Sequence, residues 1–254
     1  MPVAQVGNTP IRYRHSPGES PTAPSVLLLH MAGASSLVWS PVLGSLAGAA
    51  ELLAPDLPGH GQSGGEPLAS VDEMAAFAFD FLDALAIPAA HLAGHSMGGA
   101  IALSAALASP ARVRSLLLVG TSARLGVAPA IFDMIDNSFE QLGAFFVQQA
   151  AGGASSAPPP GAPIFPQTSQ VGARRDFEAC AAFDVSARLA EITCPASVLV
   201  GRDDLLTPVR WSERLTQGLP RARLQVVEGA GHLLPRERPR LVAAAARELL
   251  QIAR

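Results

Sequence analysis

Six short apolar runs, separated by longer segments of helical periodicity, restrict the fold of this chain more than any other feature. They are SVLLLH at 25–30, ELLAPD at 51–56, HLAGHS at 91–96, VRSLLLVG at 113–120, ASVLVG at 196–201 and RLQVVEG at 223–229. A continuous apolar run is typical of a strand that is covered on both faces, as in parallel sheets. The alternation of such strands with helices predicts an α/β fold with a mostly parallel sheet.

Other segments fit the same pattern. IRYRH at 11–15 indicates an early antiparallel strand. Ser70 and Glu73 form a capping box before a stretch whose apolar residues recur at helical spacing. Two more helices are predicted, an Ala- and Leu-rich helix over 98–108 and a closing helix over 240–252.

Residues 124–190 interrupt the alternation, because they separate two strands that should be neighbours in the sheet. A connection of this length should contain structure of its own. Most of the Phe residues of the chain lie here, namely Phe132, Phe139, Phe145, Phe146, Phe165, Phe177 and Phe183. We predict a helical cap over 124–190, inserted into a core formed by 1–123 and 191–254. A disordered linker is the alternative, and the aromatic residues argue against it except in the Pro-rich stretch at 154–166.

The composition excludes several classes of function. The chain has 254 residues, of which 49% are hydrophobic and 15% charged, which predicts a large globular domain. A net charge of -3, without a block of like charge, argues against a nucleic-acid partner. No apolar run approaches the ~20 residues that span a bilayer, and residues 1–15 lack the apolar core of a signal peptide, so we predict a cytoplasmic protein. Cys180 and Cys194 predict neither a disulfide framework nor a metal site.

The segment Gly-His-Ser-Met-Gly at 94–98 follows an apolar strand and opens a helical pattern. In that context G-x-S-x-G is typical of a nucleophile elbow, a sharp turn that exposes the serine hydroxyl at the carboxyl end of the sheet. Side chains two residues before and after Ser96 would collide in such a turn, which accounts for Gly94 and Gly98. A Gly-rich turn with an ordinary serine is the alternative, because the motif alone is a weak signal.

A nucleophilic serine needs a base to take its proton, and the base needs a carboxylate that fixes its tautomer. His232 follows the last predicted strand, in a loop that can reach back over the sheet. Asp203 and Asp204 both follow the strand at 196–201. The order of serine, acid and histidine along the chain is the order expected with a nucleophile elbow of this type.

A tetrahedral intermediate also needs backbone N–H donors for its oxyanion. We assign the N–H of Met97, directly after the candidate nucleophile, and the N–H of Ala32, in the loop that follows the strand at 25–30. A plain strand-to-helix loop is compatible with the same residues. His60, in the loop at 56–64, is interpreted as a residue that shapes a turn.

Five ordered motifs make the chain resemble the α/β-hydrolase superfamily over nearly its whole length: LLLHMAG, LLAPDLPGHGQSGG, LAGHSMGG, VLVGRDDLLTP and GAGHLLPRERP. The resemblance implies an eight-stranded, mostly parallel sheet with helices on both faces, a Ser-His-Asp triad, a cap over the site and no cofactor. It also places the acid three residues after a glycine, which favours Asp204 over Asp203. Relatives usually have His-Gly where this chain has His30-Met31, so Met31 is expected to tilt the loop or narrow the acyl side of the pocket.

The motif residues narrow the reaction that the resemblance implies. Relatives that are dehalogenases or epoxide hydrolases use Asp at the elbow, and those that cleave carbon–carbon bonds typically have Asn before the serine. This chain has Ser96 after His95, a form common among carboxylesterases, lipase-like enzymes, lactonases and thioesterases. The expected substrate is therefore a small-molecule carboxylic ester, with Met31, Phe132 and Phe139 as candidate substrate contacts.

Several alternatives stay open. The same triad would serve a lactonase, a thioesterase or a cofactor-free perhydrolase, and a ligand receptor on a hydrolase scaffold belongs to a different class of function. The Phe-rich insert indicates an apolar substrate, unless these rings form the core of the insert itself.

Overall fold

A computed structural model of the chain describes residues 1–20, 22–150 and 165–252. Within these residues, eight strands form one sheet in the order β1-β2-β4-β3-β5-β6-β7-β8. The strands are β1 (Val3–Val6), β2 (Thr9–Ser16), β3 (Ser25–Leu29), β4 (Glu51–Pro55), β5 (Ala90–His95), β6 (Val113–Val119), β7 (Ala196–Gly201) and β8 (Ala222–Val227). The pairs β1–β2 and β2–β4 are antiparallel and the other pairs are parallel. The prediction of an eight-stranded, mostly parallel sheet is confirmed.

Burial along the strands follows their positions in the sheet. Every residue of β5, a central strand, is buried, as are four of the five residues of β3. The edge strand β8 instead alternates between half-buried and exposed residues over most of its length. Continuous apolar sequence therefore marks the strands that helices cover on both faces, whereas alternation marks the edge.

Helices cover both faces of the sheet. In the part of the chain that the structure describes they are α1 (Ser40–Leu46), α2 (Val71–Ala84), α3 (Met97–Ala108), α4 (Pro129–Asn137), α5 (Phe139–Ala150), α6 (Gln170–Ala182), α7 (Val209–Gly218), α8 (Leu234–Glu237) and α9 (Pro239–Ile252). Helices α2 and α3 pack against each other, and α1 and α9 form a second pair. None of the described helices combines the length and the apolarity that crossing a bilayer requires.

Three helices, α4, α5 and α6, lie between β6 and β7, in the region expected to form a cap. Helix α4 packs against α5 and α6, and α6 reaches α3 of the core. The rings of Phe146 and Phe177 stack with centroids 5.3 Å apart, and Phe146 also contacts the ring of Phe165 at 5.1 Å. These rings join the helices of the insert to one another, and 124–190 stays the proposed extent of that insert. Residues 151–164, which contain most of the Pro-rich stretch, lie outside the described residues.

The order of the strands creates the place for a site. From β3 the chain moves to β4 on one side, and from β4 it crosses to β5 on the other side of β3. The loops at the carboxyl ends of β3 and β5 therefore diverge, and such a switch point leaves a crevice at the edge of the sheet. His30 directly follows β3 and Ser96 directly follows β5.

Candidate active site

Ser96 occupies a strained turn between β5 and α3. Its backbone has φ 54° and ψ -116°, a region that residues other than glycine rarely adopt. A Cβ at position 94 would overlap the carbonyl group of Gly98, and a Cβ at position 98 would overlap the carbonyl of Leu29. Because both obstacles are backbone atoms, they account for the two glycines that flank the serine.

The neighbouring strand holds this turn from the side. The N–H of Ser96 donates to the carbonyl of Val119 at 2.9 Å. The hydroxyl of Thr121 donates to the carbonyl of Ser96 at 2.8 Å. The peptide groups on both sides of the Ser96 Cα are thus hydrogen-bonded to the end of β6 and the loop that follows it.

His232 and Asp204 form a buried pair. The Nδ1 of His232 lies 2.8 Å from Oδ2 of Asp204, and the side chains are 2% and 0% exposed. Asp204 also accepts the N–H groups of Leu206 at 2.9 Å and Thr207 at 2.8 Å, and the Thr207 hydroxyl at 2.7 Å. Burial alone raises the pKa of Asp204, but the charge of His232 and these hydrogen bonds outweigh it and lower the pKa below its usual range. Asp204 is therefore a carboxylate, and the Nδ1 of His232 donates to it.

Asp203, the alternative acid, has a different environment. It is half-buried, and its backbone N–H donates to the carbonyl of Ala230 at 3.0 Å. Among the described residues, only Asp204 of the two shares a hydrogen bond with His232.

Ser96 and His232 line the same cavity without a direct hydrogen bond between them in this structure. Since Nδ1 of His232 donates to Asp204, its Nε2 is the nitrogen left to accept a proton. Such contacts are often long in a ligand-free site and shorten when substrate binds.

Two residues that the sequence analysis did not assign to the site hold the loop of His232. The Nε2 of His95, a fully buried residue, donates to the His232 carbonyl at 2.9 Å. Oε2 of Glu237 accepts the N–H of Gly231 at 2.8 Å. His95 lies within the elbow motif and Glu237 within GAGHLLPRERP, so both positions were visible in the sequence, but nothing there showed which loop they contact.

The candidate oxyanion donors follow the two strands at the switch point, β5 and β3. Met97 begins α3 and Ala32 lies in the loop after β3. Neither N–H donates to any residue that the structure describes, although both residues are buried. A buried N–H without an acceptor is costly, so an oxygen atom of a ligand that accepts it would be stabilised there. Both groups are available for that role.

A cavity of about 280 Å³ opens onto Ser96 and His232. Its lining includes Met31 and Ala32 from the loop after β3, together with Leu125, Gly126, Val127, Ala128, Ile131, Phe145, Phe146, Phe177, Cys180, Leu205, Leu206, Thr207 and Trp211. Among the described lining residues there is no Asp, Glu, Lys or Arg. The cavity is therefore a largely apolar chamber, and Ser96 and His232 are among its few polar side chains.

The predicted substrate contacts are placed differently. Met31 lines the cavity, but Phe132 and Phe139 are not among its described lining residues, and Phe132 instead lies beneath the guanidinium of Arg174 at 5.6 Å. Their places are taken by Phe145 and Phe146 of α5 and by Phe177 of α6. The reason is geometric. The packing of α4, α5 and α6 against one another decides which face of each helix points toward the sheet, and the sequence does not show that packing.

Comparison with known families agrees with this geometry. A family model described as the alpha/beta hydrolase family matches residues 26–245. The chain belongs to the alpha/beta hydrolase family. The match spans the six strands from β3 to β8 and the insert, and it confirms the resemblance drawn from the five sequence motifs.

Relatives of this alpha/beta hydrolase have several activities in their names. A putative carbamate hydrolase RutD from Variovorax paradoxus (strain S110) is 34% identical over 246 residues, which cover 88% of this chain and 89% of the relative. A pimeloyl-acyl carrier protein methyl ester esterase from Nitrosomonas europaea is 30% identical over 232 residues, covering 82% and 88%. An enol-lactonase from Burkholderia xenovorans LB400 superposes with a TM-score of 0.87 at 24% identity, covers 98% of this chain and 100% of its own, and is similar in fold. The family match, the carbamate hydrolase and the methyl ester esterase support a hydrolase.

Two buried histidines beside the site, His30 and His95, are neutral, and the stability of the protein should therefore depend on pH. Burial, followed by the charge of His232, lowers the pKa of His95 to about 3. Burial, followed by the charge of His60, lowers the pKa of His30 to about 4. In His30 the Nδ1 donates to the Met31 carbonyl at 2.9 Å while Nε2 accepts the Leu57 N–H at 3.1 Å, an arrangement that requires the neutral ring.

We expect the free energy of unfolding to fall as the pH drops below about 6.5, the ordinary pKa of histidine. Between that pH and the folded pKa values, the unfolded chain binds protons that the folded chain does not, so acid favours unfolding. By pH 5 each group should account for a loss of about 2 kcal/mol.

Urea unfolding of the wild type, His30→Gln and His95→Gln between pH 5 and 8.5 measures this effect. Each variant should lose less stability than the wild type on going from pH 7.5 to pH 5. Above pH 7.5 the difference between wild type and variant should be constant, which serves as an internal control. Parallel curves over the whole range would contradict the neutral assignment.

Proposed function

We propose that this alpha/beta hydrolase cleaves a carboxylic ester, or a closely related acyl bond, of a small apolar substrate through a covalent acyl-enzyme. Ser96 is the nucleophile, His232 the general base and Asp204 the residue that orients the base. The N–H groups of Met97 and Ala32 form the oxyanion hole. One observation carries the proposal. Ser96, in its strained turn, and His232, paired with the buried Asp204, line the same apolar cavity.

In the first half of the reaction, Nε2 of His232 removes the proton of the Ser96 hydroxyl while Oγ attacks the carbonyl carbon of the ester. The carbonyl π bond opens, and its oxygen carries the negative charge toward the N–H groups of Met97 and Ala32. Asp204 stabilises the imidazolium that forms and keeps Nδ1 protonated. When the tetrahedral intermediate collapses, the C–O bond to the alcohol breaks and His232 gives its proton to the departing oxygen.

In the second half, water takes the place of the alcohol. His232 removes a proton from the water, whose oxygen attacks the acyl carbon and forms a second tetrahedral intermediate. Collapse of this intermediate breaks the bond between the acyl carbon and Oγ of Ser96, which takes back the proton from His232. The carboxylic acid leaves, and the site returns to its starting state.

The lining of the cavity favours a neutral, apolar substrate of modest size. Its volume of about 280 Å³ lies just below the usual range of small-molecule sites, about 300–1,000 Å³. A carboxylate inside it would find no described lysine or arginine as partner, and an unpaired buried charge is costly. The named activities of the relatives, on a carbamate and on a methyl ester, fit an acyl bond next to a heteroatom.

Ser96→Ala should abolish ester turnover without unfolding the protein. We expect kcat to fall about 10⁴-fold or more, as for the loss of a serine nucleophile elsewhere. Active-site labelling with a fluorophosphonate probe, read by intact mass, should add one probe to the wild type and none to Ser96→Ala. A folded wild type that is not labelled would favour the ligand receptor over the enzyme, and unchanged turnover in Ser96→Ala would show that another residue is the nucleophile.

Asp204→Asn and Asp203→Asn form a matched pair that tests the acid. Asn at 204 leaves His232 without a carboxylate and favours the wrong tautomer, so we expect kcat to fall by about 10²- to 10⁴-fold. Asn at 203 should leave kcat close to the wild-type value, because Asp203 does not form a hydrogen bond with His232. The reverse result would move the acid by one position.

A panel of p-nitrophenyl esters tests the substrate class. Across acetate, butyrate, hexanoate and decanoate we expect kcat/KM to peak at a short or medium acyl chain and to fall at decanoate. The monoester of adipate, which matches hexanoate in length but ends in a carboxylate, should react at least about tenfold more slowly than hexanoate because its charge finds no partner. A preference for adipate would contradict the apolar pocket.

The same panel, extended by a carbamate ester, a lactone, a thioester and acetate with peroxide, separates the alternatives. The ester proposal requires that the best neutral ester exceed each of these in kcat/KM. A lactone, a thioester or a carbamate ester that exceeds the esters would assign the same triad to that substrate.

A further inference from the structure

The carboxylate of Asp176 is completely buried although it lies on α6, a helix of the insert. Taking a carboxylate out of water is costly unless it is paired and hydrogen-bonded. Asp176 is nevertheless buried on α6 beside the apolar residues Ala173 and Phe177. The partners of its carboxylate indicate why.

Both partners of Asp176 belong to the core rather than to the insert. Its Oδ2 accepts the Nε2 of His60 at 2.8 Å and the backbone N–H of Gly33 at 2.7 Å. The Nδ1 of His60 faces the carbonyl of Pro58 at 3.0 Å. Because both ring nitrogens of His60 face acceptors, both must donate, and only the imidazolium can do so.

The charge of this pair agrees with its surroundings. Burial lowers the pKa of His60, but the charge and hydrogen bond of Asp176, with the Pro58 carbonyl and Asp56, outweigh it and raise the pKa above its ordinary value. His30 also faces His60, with ring centroids 5.2 Å apart, and it is neutral. His60 and Asp176 therefore form a buried ion pair, and its carboxylate also holds Gly33.

Gly33 belongs to the loop that carries the proposed oxyanion donor. Ala32 directly precedes it, so the hydrogen bond from Gly33 N–H to Asp176 fixes the peptide next to the Ala32 donor. The carbonyl of Gly33 accepts the N–H of Gln167 at 2.8 Å, and a Cβ at position 33 would overlap the ring of Phe165. The insert thus holds Gly33 through its N–H, its carbonyl and its Cα.

The donor peptide itself is held from its other end. The Met31 carbonyl and the Ala32 N–H belong to one planar peptide unit and point in opposite directions. That carbonyl accepts Nδ1 of the neutral His30 at 2.9 Å. The Ala32 N–H is therefore aimed by His30 on one side and by Asp176, through Gly33, on the other.

We propose that Asp176 is a positioning residue of the hydrolase, which aims the oxyanion donor at Ala32 through its hydrogen bond to Gly33 while His60 balances its charge. This inference rests on the proposed function. Interactions that act on the oxyanion stabilise the transition state more than the bound substrate. An ion pair that only attaches α6 to the core would affect stability without that distinction.

Asp176→Leu and Asp176→Asn test the proposal. Leu removes every acceptor for Gly33 at nearly constant shape, whereas Asn keeps one acceptor oxygen. With a neutral p-nitrophenyl ester, we expect kcat to fall about 10²-fold in Asp176→Leu, a loss typical of a misplaced oxyanion donor, with KM changed much less. Asp176→Asn should lose clearly less, about tenfold, so that the conservative variant rescues part of the activity.

A trifluoromethyl ketone with the same acyl chain supplies a readout that mere attachment of the helix would not change. It forms a tetrahedral adduct with a nucleophilic serine, and its oxyanion needs the same donors. Its affinity should fall by the same factor as kcat/KM in each Asp176 variant. The concentration of active sites is counted by exhaustive labelling with the fluorophosphonate, and rates are divided by that concentration. Unfolded protein in a sample therefore does not lower the apparent kcat.

Asp136→Leu is the matched control. Asp136 of α4 pairs with Arg174 of α6, so this variant also breaks an ion pair of the same helix, but that pair is partly exposed and does not contact Gly33. It should keep the kcat and the ketone affinity of the wild type. If Asp176→Leu does not fold, Asp176→Asn decides the question by the same comparison of kcat, KM and ketone affinity.

Two results would overturn the proposal: wild-type kcat in the folded Asp176 variants, or losses that match those of Asp136→Leu. Failure of the proposed function gives a different result, because turnover would then persist in Ser96→Ala. Turnover that depends on Ser96 but not on Asp176 refutes the positioning role alone.

Discussion

The backbone of Ser96 is the constraint on which the rest of the site depends. A residue with φ 54° and ψ -116° is unfavourable by itself, and it persists because its surroundings leave no alternative. Gly94 and Gly98 allow the strand and the helix to meet there, and bonds to Val119 and Thr121 hold the turn. The turn directs the hydroxyl into the crevice between the ends of β3 and β5, so the order of the strands and the strain of one residue act together.

Charge is distributed among the buried histidines according to their partners. One nitrogen of His30 accepts a hydrogen bond and must not carry a proton, and burial lowers the pKa of His95 to about 3, so both rings are neutral. His60 faces acceptors with both nitrogens and has a carboxylate partner, so it is charged. The charges of His30 and His60 follow from hydrogen-bond geometry, and that of His95 follows from its burial. His232, with Asp204 on one nitrogen and the cavity near the other, is the histidine that the proposed mechanism uses as its base.

Much of this arrangement could be predicted from the sequence, because the information is local. Apolar runs predict the central strands, and residues that directly follow strand ends predict which loops meet at the carboxyl edge of the sheet. Strand β1 is not predicted as a separate run, since a segment of four residues, VAQV, is too short to stand out from its surroundings. The identity of the lining rings and the pairing of His60 with Asp176, 116 residues later, depend on how the insert packs on the core. No short-range pattern contains that information.

The contacts between the insert and Gly33 have a consequence for how the substrate specificity of such a protein can change. Asp176, Gln167 and Phe165 connect the insert to Gly33, in the loop that carries the proposed oxyanion donor. If the insert were exchanged for that of another family member, we expect the lining of the cavity to change and the loop at Gly33 to lose its contacts at the same time. New specificities are therefore more accessible through a substitution at Phe145 of α5, which lines the chamber and is not one of the residues that hold Gly33, than through replacement of the whole insert.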